Sequence, residues 1–333
     1  MRGDANVRLL ITGPLGHIGS RLIHSLRPGD CAEVRLLDNF ATSRYCSLFN
    51  LPEGVPFRFT EGDIRTVDLG RLLDGIDRVI HLAAITNAAE SFDQQEQVDA
   101  VNLGGTARLA QACADRGIPL IFVSTTSVYG TQADTIDEAC DSDELRPQSP
   151  YATSKLKAER VLHELGATRG LRYFVGRLGT ICGTSPGMRF HTAINKFCWQ
   201  ACTGQPLTVY RTALDQLRPY LDLADAIRAF RFVLRSELFD NRVYNVLTAN
   251  WTVRQIVDLI RAEMPGATVQ LVDTRVMNQL SCRVSAERFE RAGFRFEGSL
   301  DEGILQTLDL LRGVARGSTT IRAASRSSDR SRP

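Results

Sequence analysis

A tyrosine and a lysine stand four residues apart in Pro150-Tyr151-Ala152-Thr153-Ser154-Lys155. This stretch is predicted to begin a helix, on which positions i and i+4 lie one above the other on the same face. An ammonium and a cofactor cation beside a phenol favour the phenolate, and they lower a pKa that otherwise lies near ~10. Tyr151 is therefore a candidate general base.

Tyr-Lys pairs at this spacing are common on helices, but two observations favour chemistry here. The chain has only three lysines, Lys155, Lys157 and Lys196. A compact ammonium can contact a ribose and leave room for a cofactor, whereas a forked guanidinium cannot replace it. In addition, the hydroxyl cluster Ser124-Thr125-Thr126-Ser127 ends an upstream apolar strand and can supply a second hydroxyl beside the tyrosine.

Three regularly spaced glycines follow the first apolar strand, in Val7-Arg8-Leu9-Leu10-Ile11-Thr12-Gly13-Pro14-Leu15-Gly16-His17-Ile18-Gly19-Ser20. The pattern predicts a strand, a tight turn and a helix whose first N–H groups face an anion. A Cβ at Gly13 or Gly16 would stand between the backbone and a bound pyrophosphate, and one at Gly19 would separate helix from strand. The loop residues predicted to bind the cofactor are Gly13, Gly16, His17, Ile18 and Gly19.

Apolar strands alternate with helical segments through the first half of the chain, which predicts an α/β fold with a doubly wound parallel (Rossmann) sheet. Ligands of such sheets bind at the carboxyl ends of the strands. The strands end in small or hydrogen-bonding residues, as this rule requires: Thr12-Gly13, Asp38-Asn39, Asp63-Ile64, Ala83-Ala84-Ile85-Thr86 and Ser124-Thr125-Thr126-Ser127. The less regular second half predicts a smaller, mixed α/β C-terminal substrate lobe.

The composition indicates which class of protein this is. The formal net charge of +2 is too small to predict a nucleic acid or another charged partner. A composition of 43% hydrophobic and 23% charged residues is typical of a soluble globular protein. No apolar run approaches the ~20 residues of a membrane span, so we expect no membrane association and a cytoplasmic location. The cysteines form no CxxC pair, and His191, Cys198 and Cys202 are too few and too irregularly spaced to predict a metal site.

Seven motifs in this order resemble an extended short-chain dehydrogenase/reductase of the nucleotide-sugar epimerase/dehydratase group, to which UDP-glucose 4-epimerase belongs. They are Thr12-Gly13-x-x-Gly16-x-Ile18-Gly19, Asp38-Asn39, Gly62-Asp63-Ile64, His81-Leu82-Ala83-Ala84, Asn102-x-x-Gly105-Thr106, Ser124-Thr125-Thr126-Ser127-Val128-Tyr129-Gly130 and Tyr151-x-x-x-Lys155. The resemblance covers residues 7–312. It implies an NAD-binding domain over 1–176, to which 222–249 return, and a substrate lobe of 177–221 and 250–312. Residues 313–333 are low in apolar residues and rich in serine and arginine, a composition that predicts a disordered tail.

The resemblance implies NAD as the cofactor. The glycine loop would cradle the pyrophosphate, Asp38 would bind the adenosine ribose and repel the 2′-phosphate of NADP, and Lys155 would hold the nicotinamide ribose. The other cofactor residues that it implies are Asn39, Asp63, Ile64, Ala83, Ala84 and Asn102, with Asp63 and Ile64 at the adenine.

The implied substrate is a nucleotide-diphosphate sugar. Leu217-Arg218-Pro219-Tyr220-Leu221-Asp222 is similar to an arginine-aromatic-aspartate signature of the family, in which the arginine binds the diphosphate as a bidentate donor. A salt bridge from Arg218 to Asp222 or Asp225 is the alternative, although these two aspartates are expected to begin the next helix. The other candidate substrate residues are Thr86, Thr126 and Arg177.

The residues around Thr125 bear on the reaction. Family members oxidise the sugar at C4, and Thr125 occupies the position of their catalytic serine or threonine, with Thr126 beside it. Dehydratases of the family follow that residue with an Asp-Glu pair, whereas this chain has Thr126-Ser127, and neither hydroxyl acts as an acid near neutral pH. The missing acids favour hydride return to C4, and hence 4-epimerisation with tightly held NAD.

Other activities and the assembly state remain open from the sequence. A 4-ketoreductase, dehydrogenase or dehydratase acting on the same sugars is the first alternative, and a non-catalytic NAD-responsive binding protein is the second. The resemblance also implies a homodimer that forms through the helices predicted at residues 96–117 and 151–166.

Overall fold

The computed structural model describes residues 7–130, 135–140, 144–273, 281 and 283–313. Its strands are β1 (Arg8–Thr12), β2 (Glu33–Asp38), β3 (Phe57–Glu61), β4 (Arg78–His81), β5 (Leu120–Thr125), β6 (Thr135–Ile136), β7 (Tyr173–Leu178), β8 (Thr180–Cys182), β9 (Leu207–Tyr210), β10 (Leu217–Asp222), β11 (Arg242–Val246), β12 (Ala249–Thr252), β13 (Val269–Val272) and β14 (Arg283–Val284). Its α-helices are α1 (His17–Ser25), α2 (Leu69–Leu72), α3 (Gln95–Val98), α4 (Thr106–Ala114), α5 (Pro150–Arg169), α6 (Ala193–Cys202), α7 (Leu223–Ser236), α8 (Val253–Glu263), α9 (Glu287–Arg291) and α10 (Leu300–Leu311).

A seven-stranded sheet in the order β11-β7-β5-β4-β1-β2-β3 forms the centre of the molecule. All of its neighbouring strands are parallel. Helices α1 and α7 cover one face of the sheet, and α2, α4 and α5 cover the other. The predicted doubly wound parallel fold is therefore confirmed.

Burial on both faces explains the continuous apolar runs of the strands. In β1, Leu9 and Ile11 pack toward α1 and α7, whereas Leu10 between them packs toward the opposite helical layer. All three side chains are buried. A strand covered on both sides needs no polar alternation, and its sequence therefore reads as one hydrophobic run.

The C-terminal lobe is built around short strands and three helices. Strand β10 pairs in parallel with β8 and antiparallel with β12, and β9 pairs in parallel with β13. Helices α6, α8 and α10 pack together in a separate apolar core. This confirms the predicted mixed α/β character of the lobe.

Two predicted boundaries differ from the structure. The helix predicted over residues 96–117 is α3, then a π-helical segment (Asp99–Gly105), then α4. The 3.6-residue spacing of apolar residues that predicts an α-helix does not reveal a local π-helical turn within it. Such turns are frequent at functional sites. Strand β7 continues past the predicted domain boundary at residue 176. Strand β11 pairs with β7 in the central sheet, and α7 packs against one face of that sheet. The predicted disordered tail falls outside the described residues from 314 onward.

Candidate active site

The candidate base and its lysine lie at the start of α5. Pro150 occupies the first turn, and the Ser149 hydroxyl caps the helix by accepting from the Ala152 N–H at 3.2 Å. This cap fixes where the helix begins and so places Tyr151 in the first turn. Lys155 is almost completely buried, with Nζ 2.8 Å from the Val123 carbonyl and 4.8 Å from the centre of the Phe122 ring.

The surroundings of Tyr151 act on its pKa in opposite directions. Burial raises the pKa of the phenol, whereas the Arg189 guanidinium and a side-chain hydrogen bond with Thr125 lower it. Burial also lowers the pKa of Lys155 to about 7, against the opposing effect of Glu159. Arg189 is thus a charged neighbour that favours the phenolate in this structure.

The hydroxyl cluster ends β5, next to Tyr151. Thr125 Oγ1 accepts from the Ser127 N–H at 3.1 Å, and Thr126 Oγ1 donates to the Leu178 carbonyl at 3.3 Å. These bonds hold Thr125 and Thr126 at the carboxyl end of the strand, where the fold places a ligand. The structure therefore brings Tyr151 and Thr125 together, as the sequence predicts.

The surroundings of the three loop glycines differ in how much space they leave for a Cβ atom. Gly13 has φ +68°, and a Cβ there would lie 2.6 Å from the Ala83 nitrogen, so the backbone conformation and the close approach of the segment after β4 both require this glycine. A Cβ at Gly19 would lie 2.5 Å from the Gly13 oxygen, in agreement with the predicted close packing of the helix. A Cβ at Gly16 would meet no neighbour closer than 3.5 Å.

Gly16 thus leaves an open side at the first residues of α1. Helix α1 begins at His17 without a side-chain cap, and the N–H groups of a first helical turn have no partner within the helix. Room beside the backbone together with unpaired donors fits a pyrophosphate. These residues, with Ile18 in the same turn, are therefore suited to the predicted cofactor.

The predicted adenosine residues meet at the ends of β2 and β3. Asp38 accepts from the N–H groups of Leu15 (3.3 Å) and Phe40 (3.0 Å), and burial raises the pKa of its carboxyl group. Asn39 donates to Asp63 at 3.1 Å. Arg65 donates twice to Asp63 and holds the pKa of that carboxyl group far below its usual range.

Neighbouring cofactor candidates line the same edge of the sheet. Ile64 is buried, and a Cβ at Gly105 would lie 2.7 Å from its Cγ2. Ala83 and Ala84 follow β4, where the Ala83 N–H donates to Thr12 Oγ1 at 3.3 Å. The ends of β1, β2 and β4 are adjacent, so these residues surround the glycine loop.

Asn102 does not present its amide to a cofactor. Its Oδ1 accepts from the Ile85 N–H at 2.8 Å, and its Nδ2 donates to the Ile85 carbonyl at 2.9 Å and to Ser154 Oγ at 3.1 Å. The side chain is buried, and both of its amide hydrogens are used by these bonds. We therefore correct its predicted role: Asn102 fixes the loop after β4 against α5.

Arg177 is likewise placed in the interior and not in a substrate site. Its guanidinium makes a bidentate pair with Glu159 (3.0 and 2.6 Å) and donates to the Tyr129 hydroxyl at 2.9 Å. Ser124 adds a further hydrogen bond to Glu159. Because Arg177 is only 4% exposed, we no longer assign it to the substrate.

Arg218 lies on β10, where its guanidinium contacts Gln216. The alternative salt bridges to Asp222 and Asp225 are not formed in the described structure, because both aspartates have other partners. Asp222 caps α7 by accepting from the Ala224 N–H at 2.9 Å. Asp225, in the first turn of α7, is buried and accepts from Thr248 at 2.6 Å and from the Glu297 and Gly298 N–H groups at 3.0 Å.

A segment of the second lobe crosses the glycine loop, and no periodic pattern in the sequence predicts it. We call residues 183–191 the strap. His17 Nε2 lies 2.9 Å from the Gly183 oxygen, and the Gly187 N–H donates to Ser20 Oγ at 2.9 Å. Burial lowers the pKa of His17 to about 3, so the imidazole is neutral and can donate to that carbonyl. The side chain of His17, which the sequence assigns to the cofactor loop, thus contacts the strap.

The strap also contains Arg189, which sequence reasoning missed. The Arg189 guanidinium donates to the hydroxyl of Thr86, a predicted substrate residue. Its charge acts on Tyr151 as described above. A lone arginine in an irregular loop has no recognisable spacing, and its role depends on the chain folding back over β4 and α5.

The described residues contain neither a metal-binding cluster nor a membrane-spanning helix. No group of three or more His, Cys, Asp or Glu side chains is placed to hold a metal ion there, and this includes His191, Cys198 and Cys202. No helix in the described ranges has the length and apolar character that a membrane crossing requires.

Comparison with known families decides the classification. The model of the NAD dependent epimerase/dehydratase family matches residues 9–246, which include the glycine loop, Thr125, Tyr151 and Lys155. The chain belongs to this family. Its description confirms the predicted family and the predicted cofactor, NAD.

Three relatives show the range of this similarity. A trifunctional UDP-glucose 4,6-dehydratase/UDP-4-keto-6-deoxy-D-glucose 3,5-epimerase/UDP-4-keto-L-rhamnose-reductase of Arabidopsis thaliana is 30% identical over 321 residues, 90% of this chain and 46% of the relative. The chain thus spans about half the length of that protein. A UDP-glucose 4-epimerase of Azospirillum brasilense is 31% identical over 242 residues, 67% of each chain.

The third relative is a solved structure, the UDP-glucose 4-epimerase of Thermus thermophilus in complex with NAD. It is 27% identical, covers 92% of this chain and 100% of its own, and superposes with a TM-score of 0.76. The chain is therefore similar both to epimerases and to an enzyme with dehydratase activity, all with names that specify UDP-linked sugars, and one of these epimerases was solved with NAD.

Proposed function

We propose that the protein epimerises a nucleotide-diphosphate sugar at C4 through a transient 4-keto sugar, with NAD held in the site. The observation that carries this proposal is the composition of the β5 end. Thr125 adjoins Tyr151, whereas the two following positions are Thr126 and Ser127. Elimination of water needs an acidic side chain at one of these two positions, where dehydratases of the family have an Asp-Glu pair. The hydroxyl groups of Thr126 and Ser127 do not act as acids near neutral pH.

The residues of the chain have separate tasks in this reaction. Tyr151 accepts the proton of the C4 hydroxyl and later returns it, and Thr125 holds that hydroxyl toward the phenol. Bound NAD would supply the acceptor of the C4 hydride and later its donor. Because the hydride returns to the carbon that it left, the 4-keto sugar must present its opposite face before the second half of the reaction, in which the proton returns to the C4 oxygen.

Cofactor and substrate sites are assigned on the same basis. Gly16 and the first turn of α1 hold the pyrophosphate, and Asp38 with Asn39, Asp63 and Ile64 holds the adenosine end. Lys155, whose ammonium donates to the Val123 carbonyl, is assigned to the nicotinamide ribose.

The substrate meets both lobes in this assignment. Arg218 binds the diphosphate of the substrate, because a guanidinium is a bidentate donor to phosphate oxygens. Thr86 and Thr126 face the sugar from the ends of β4 and β5. The UDP-glucose 4-epimerases of Azospirillum brasilense and Thermus thermophilus support a UDP-linked sugar as the first to test.

The Arabidopsis thaliana relative suggests a second candidate, a dehydratase or a 4-ketoreductase. The absence of an Asp-Glu pair after Thr125 disfavours the dehydratase. A 4-ketoreductase or dehydrogenase would consume the cofactor stoichiometrically, whereas an epimerase recycles it.

This difference defines the experiment. The protein is incubated with UDP-, GDP-, CDP- and dTDP-linked hexoses and a catalytic amount of NAD, and the sugars are analysed by NMR. We expect the C4 epimer of one of these sugars, without accumulation of reduced-nicotinamide absorbance. In parallel reactions with excess NAD, or with reduced cofactor and a 4-keto sugar, stoichiometric formation or loss of that absorbance would instead establish a net oxidoreductase, and a 4-keto-6-deoxy product would establish a dehydratase.

A further inference from the structure

A buried ion pair supports residues 124–129, which we call the hydroxyl segment because they carry the candidate catalytic hydroxyl groups. Arg177 of β7 and Glu159 of α5 form this pair, with nitrogen-to-oxygen distances of 3.0 and 2.6 Å. Only 5% and 6% of their side chains are exposed. Because both charges are enclosed by protein, the pair acts on the candidate site through the residues that it contacts.

The pair holds the hydroxyl segment at both of its ends. At one end, the Ser124 hydroxyl donates to a carboxylate oxygen of Glu159. At the other end, the Tyr129 hydroxyl accepts from Arg177 at 2.9 Å, and the guanidinium lies 4.9 Å from the centre of the Tyr129 ring. Thr125 lies between these two contacts in the chain. One ion pair therefore restrains the position of Thr125 from both sides.

The same pair connects the hydroxyl segment to the helix of the candidate base. Glu159 follows Tyr151 by about two turns of α5, and Lys155 lies between them. Lys155 donates to the carbonyl of Val123, directly before the hydroxyl segment, at 2.8 Å. Glu159, one turn further along α5, bonds the first residue of the segment itself. Two contacts on successive turns oppose sliding of α5 along β5, and so they fix Tyr151 relative to Thr125.

Stability alone does not require an ion pair at this place. Removing two charges from water has a cost that their attraction roughly offsets, and apolar side chains of similar volume often stabilise a core as well or better. Hydrogen bonds are directional, however, and apolar side chains lack that property. The network is also complete without a ligand, because both oxygens of Glu159 accept from Arg177, and the Tyr129 hydroxyl donates to Asn245 at 2.8 Å. What the pair adds is therefore a fixed geometry.

We propose that Glu159 and Arg177 are positioning residues, which hold Thr125 and Tyr151 in the relative placement that the proton transfer needs. The inference rests on the proposed function, in which Tyr151 is the base and Thr125 orients the C4 hydroxyl. The pair itself contacts neither the sugar nor the cofactor. A displacement of about 1 Å between reacting groups can lower a rate about 100-fold. Loss of the pair therefore lowers kcat, while the affinity for the substrate is retained.

The test compares variants that remove these contacts separately. Ser124→Ala and Tyr129→Phe each remove one hydroxyl and keep the ion pair, whereas Glu159→Leu/Arg177→Leu replaces the pair by apolar side chains. We expect kcat to fall about 10- to 100-fold in the double variant and about 5- to 10-fold in each single one, with KM for the sugar changed less than about twofold. Glu159→Gln keeps an acceptor for Ser124 and should lose less kcat than the double variant.

Tyr244→Phe is the matched control for Tyr129→Phe. Both tyrosines are buried, but the Tyr244 hydroxyl donates to Asp240 at 2.6 Å. This variant removes a buried hydrogen bond outside the network of the pair, so we expect wild-type kcat. An equal loss of kcat in the two variants would show that any buried tyrosine hydroxyl has this effect, and it would overturn the proposal.

A double-mutant cycle determines whether the pair acts through Thr125. In a Thr125→Val background the hydroxyl that the pair positions is missing, so adding Ser124→Ala should change kcat by less than about twofold. A general loss of structural integrity would instead lower kcat by the same factor in both backgrounds, and that result would contradict a positioning role.

Hydrogen exchange adds a measurement that needs no sugar. The Ser127 N–H donates to Thr125 at 3.1 Å, and we expect it to exchange at least about 10-fold faster in Ser124→Ala and in the double variant, with unchanged rates in β2. If no nucleotide sugar is converted, the proposed function fails, and this exchange still decides whether the pair holds the hydroxyl segment. Unchanged exchange at Ser127, or wild-type kcat in folded Ser124→Ala and Tyr129→Phe, overturns the proposal even if the double variant does not fold.

Discussion

Gly187 of the strap lies so close to Leu15 of the glycine loop that a Cβ on it would approach the Leu15 carbonyl oxygen to 2.2 Å. The Ser47 hydroxyl donates to the same carbonyl at 2.9 Å, and Cys46 donates to the Pro186 carbonyl at 3.3 Å. The strap therefore touches the loop that is assigned to the cofactor pyrophosphate, and the two cannot move independently.

Gly187→Ala should weaken this contact. Overpacking at such a site costs about 1–3 kcal/mol, or about 5- to 150-fold in affinity if the strain falls on the cofactor site. We expect a lower free energy of unfolding and weaker retention of NAD, measured by urea denaturation and by NAD content after gel filtration. Gly266→Ala is the matched control, because a Cβ there meets nothing within 4 Å. Equal behaviour of the two variants would show that the strap does not support the cofactor.

Arg177→Leu should destabilise the protein rather than weaken substrate binding. It leaves the Glu159 carboxylate buried without its partner, which costs about 3–5 kcal/mol, whereas the double variant Glu159→Leu/Arg177→Leu should recover most of this loss. Urea denaturation measures both effects. A single variant with wild-type stability and a raised KM for the sugar would return Arg177 to the substrate site.

Acid should destabilise the fold through its buried histidines. His81 accepts from Thr12 at 2.6 Å on Nδ1 and donates to Thr106 at 3.0 Å, and burial lowers its pKa from 6.5 to about 3. Between these values the unfolded chain binds a proton that the folded chain does not, so stability falls as the pH decreases through this window, by up to about 1.4 kcal/mol per pH unit for one histidine.

The variant His81→Gln isolates this contribution. Its free energy of unfolding should be lower at neutral pH, because a buried hydrogen-bond network is disturbed. The free energy of unfolding of this variant should nevertheless decrease less steeply between pH 6.5 and about 3 than that of the wild type. Denaturation curves at several pH values give both quantities, and an unchanged slope would show that His81 takes up its proton in the folded state.

Tyr151→Phe tests the assignment of the base. Loss of the phenolic oxygen should lower turnover at least ~100-fold, the usual contribution of a general base. NAD affinity should change little, because Tyr151 is not among the residues that are assigned to the cofactor. Steady-state epimerisation and NAD titration measure the two effects, and substantial residual activity would contradict the mechanism.

The sequence predicted features that depend on local spacing. The alternation of apolar runs defined the parallel sheet, and the spacing of Tyr151 and Lys155 placed them on one helix face. The reason for Gly13 could not be predicted, because the atoms that exclude its Cβ belong to Ala83 at the end of β4. A contact between strands distant in the chain leaves no local pattern.

The incorrect prediction for Arg177 and the failure to predict Arg189 have the same physical cause. Arg177 occupies a strand end that suits a ligand contact, but Glu159 of α5 reaches its guanidinium inside the core. Arg189 stands in a segment without periodicity, and its position depends on contacts with Thr86 and Asn195. In both cases the partner of a charged side chain decides its role, and that partner is known only once the chain is folded.

The fate of a deuterium label at C4 of the substrate tests the proposed reaction most directly. Epimerisation returns the label to C4, so NMR should find deuterium at C4 of both epimers and none elsewhere in the sugar. After an elimination across C5 and C6, the electrophilic carbon is C6 of the resulting enone, and the label would appear there. Deuterium at C6, or its transfer into released reduced cofactor, would contradict the epimerase.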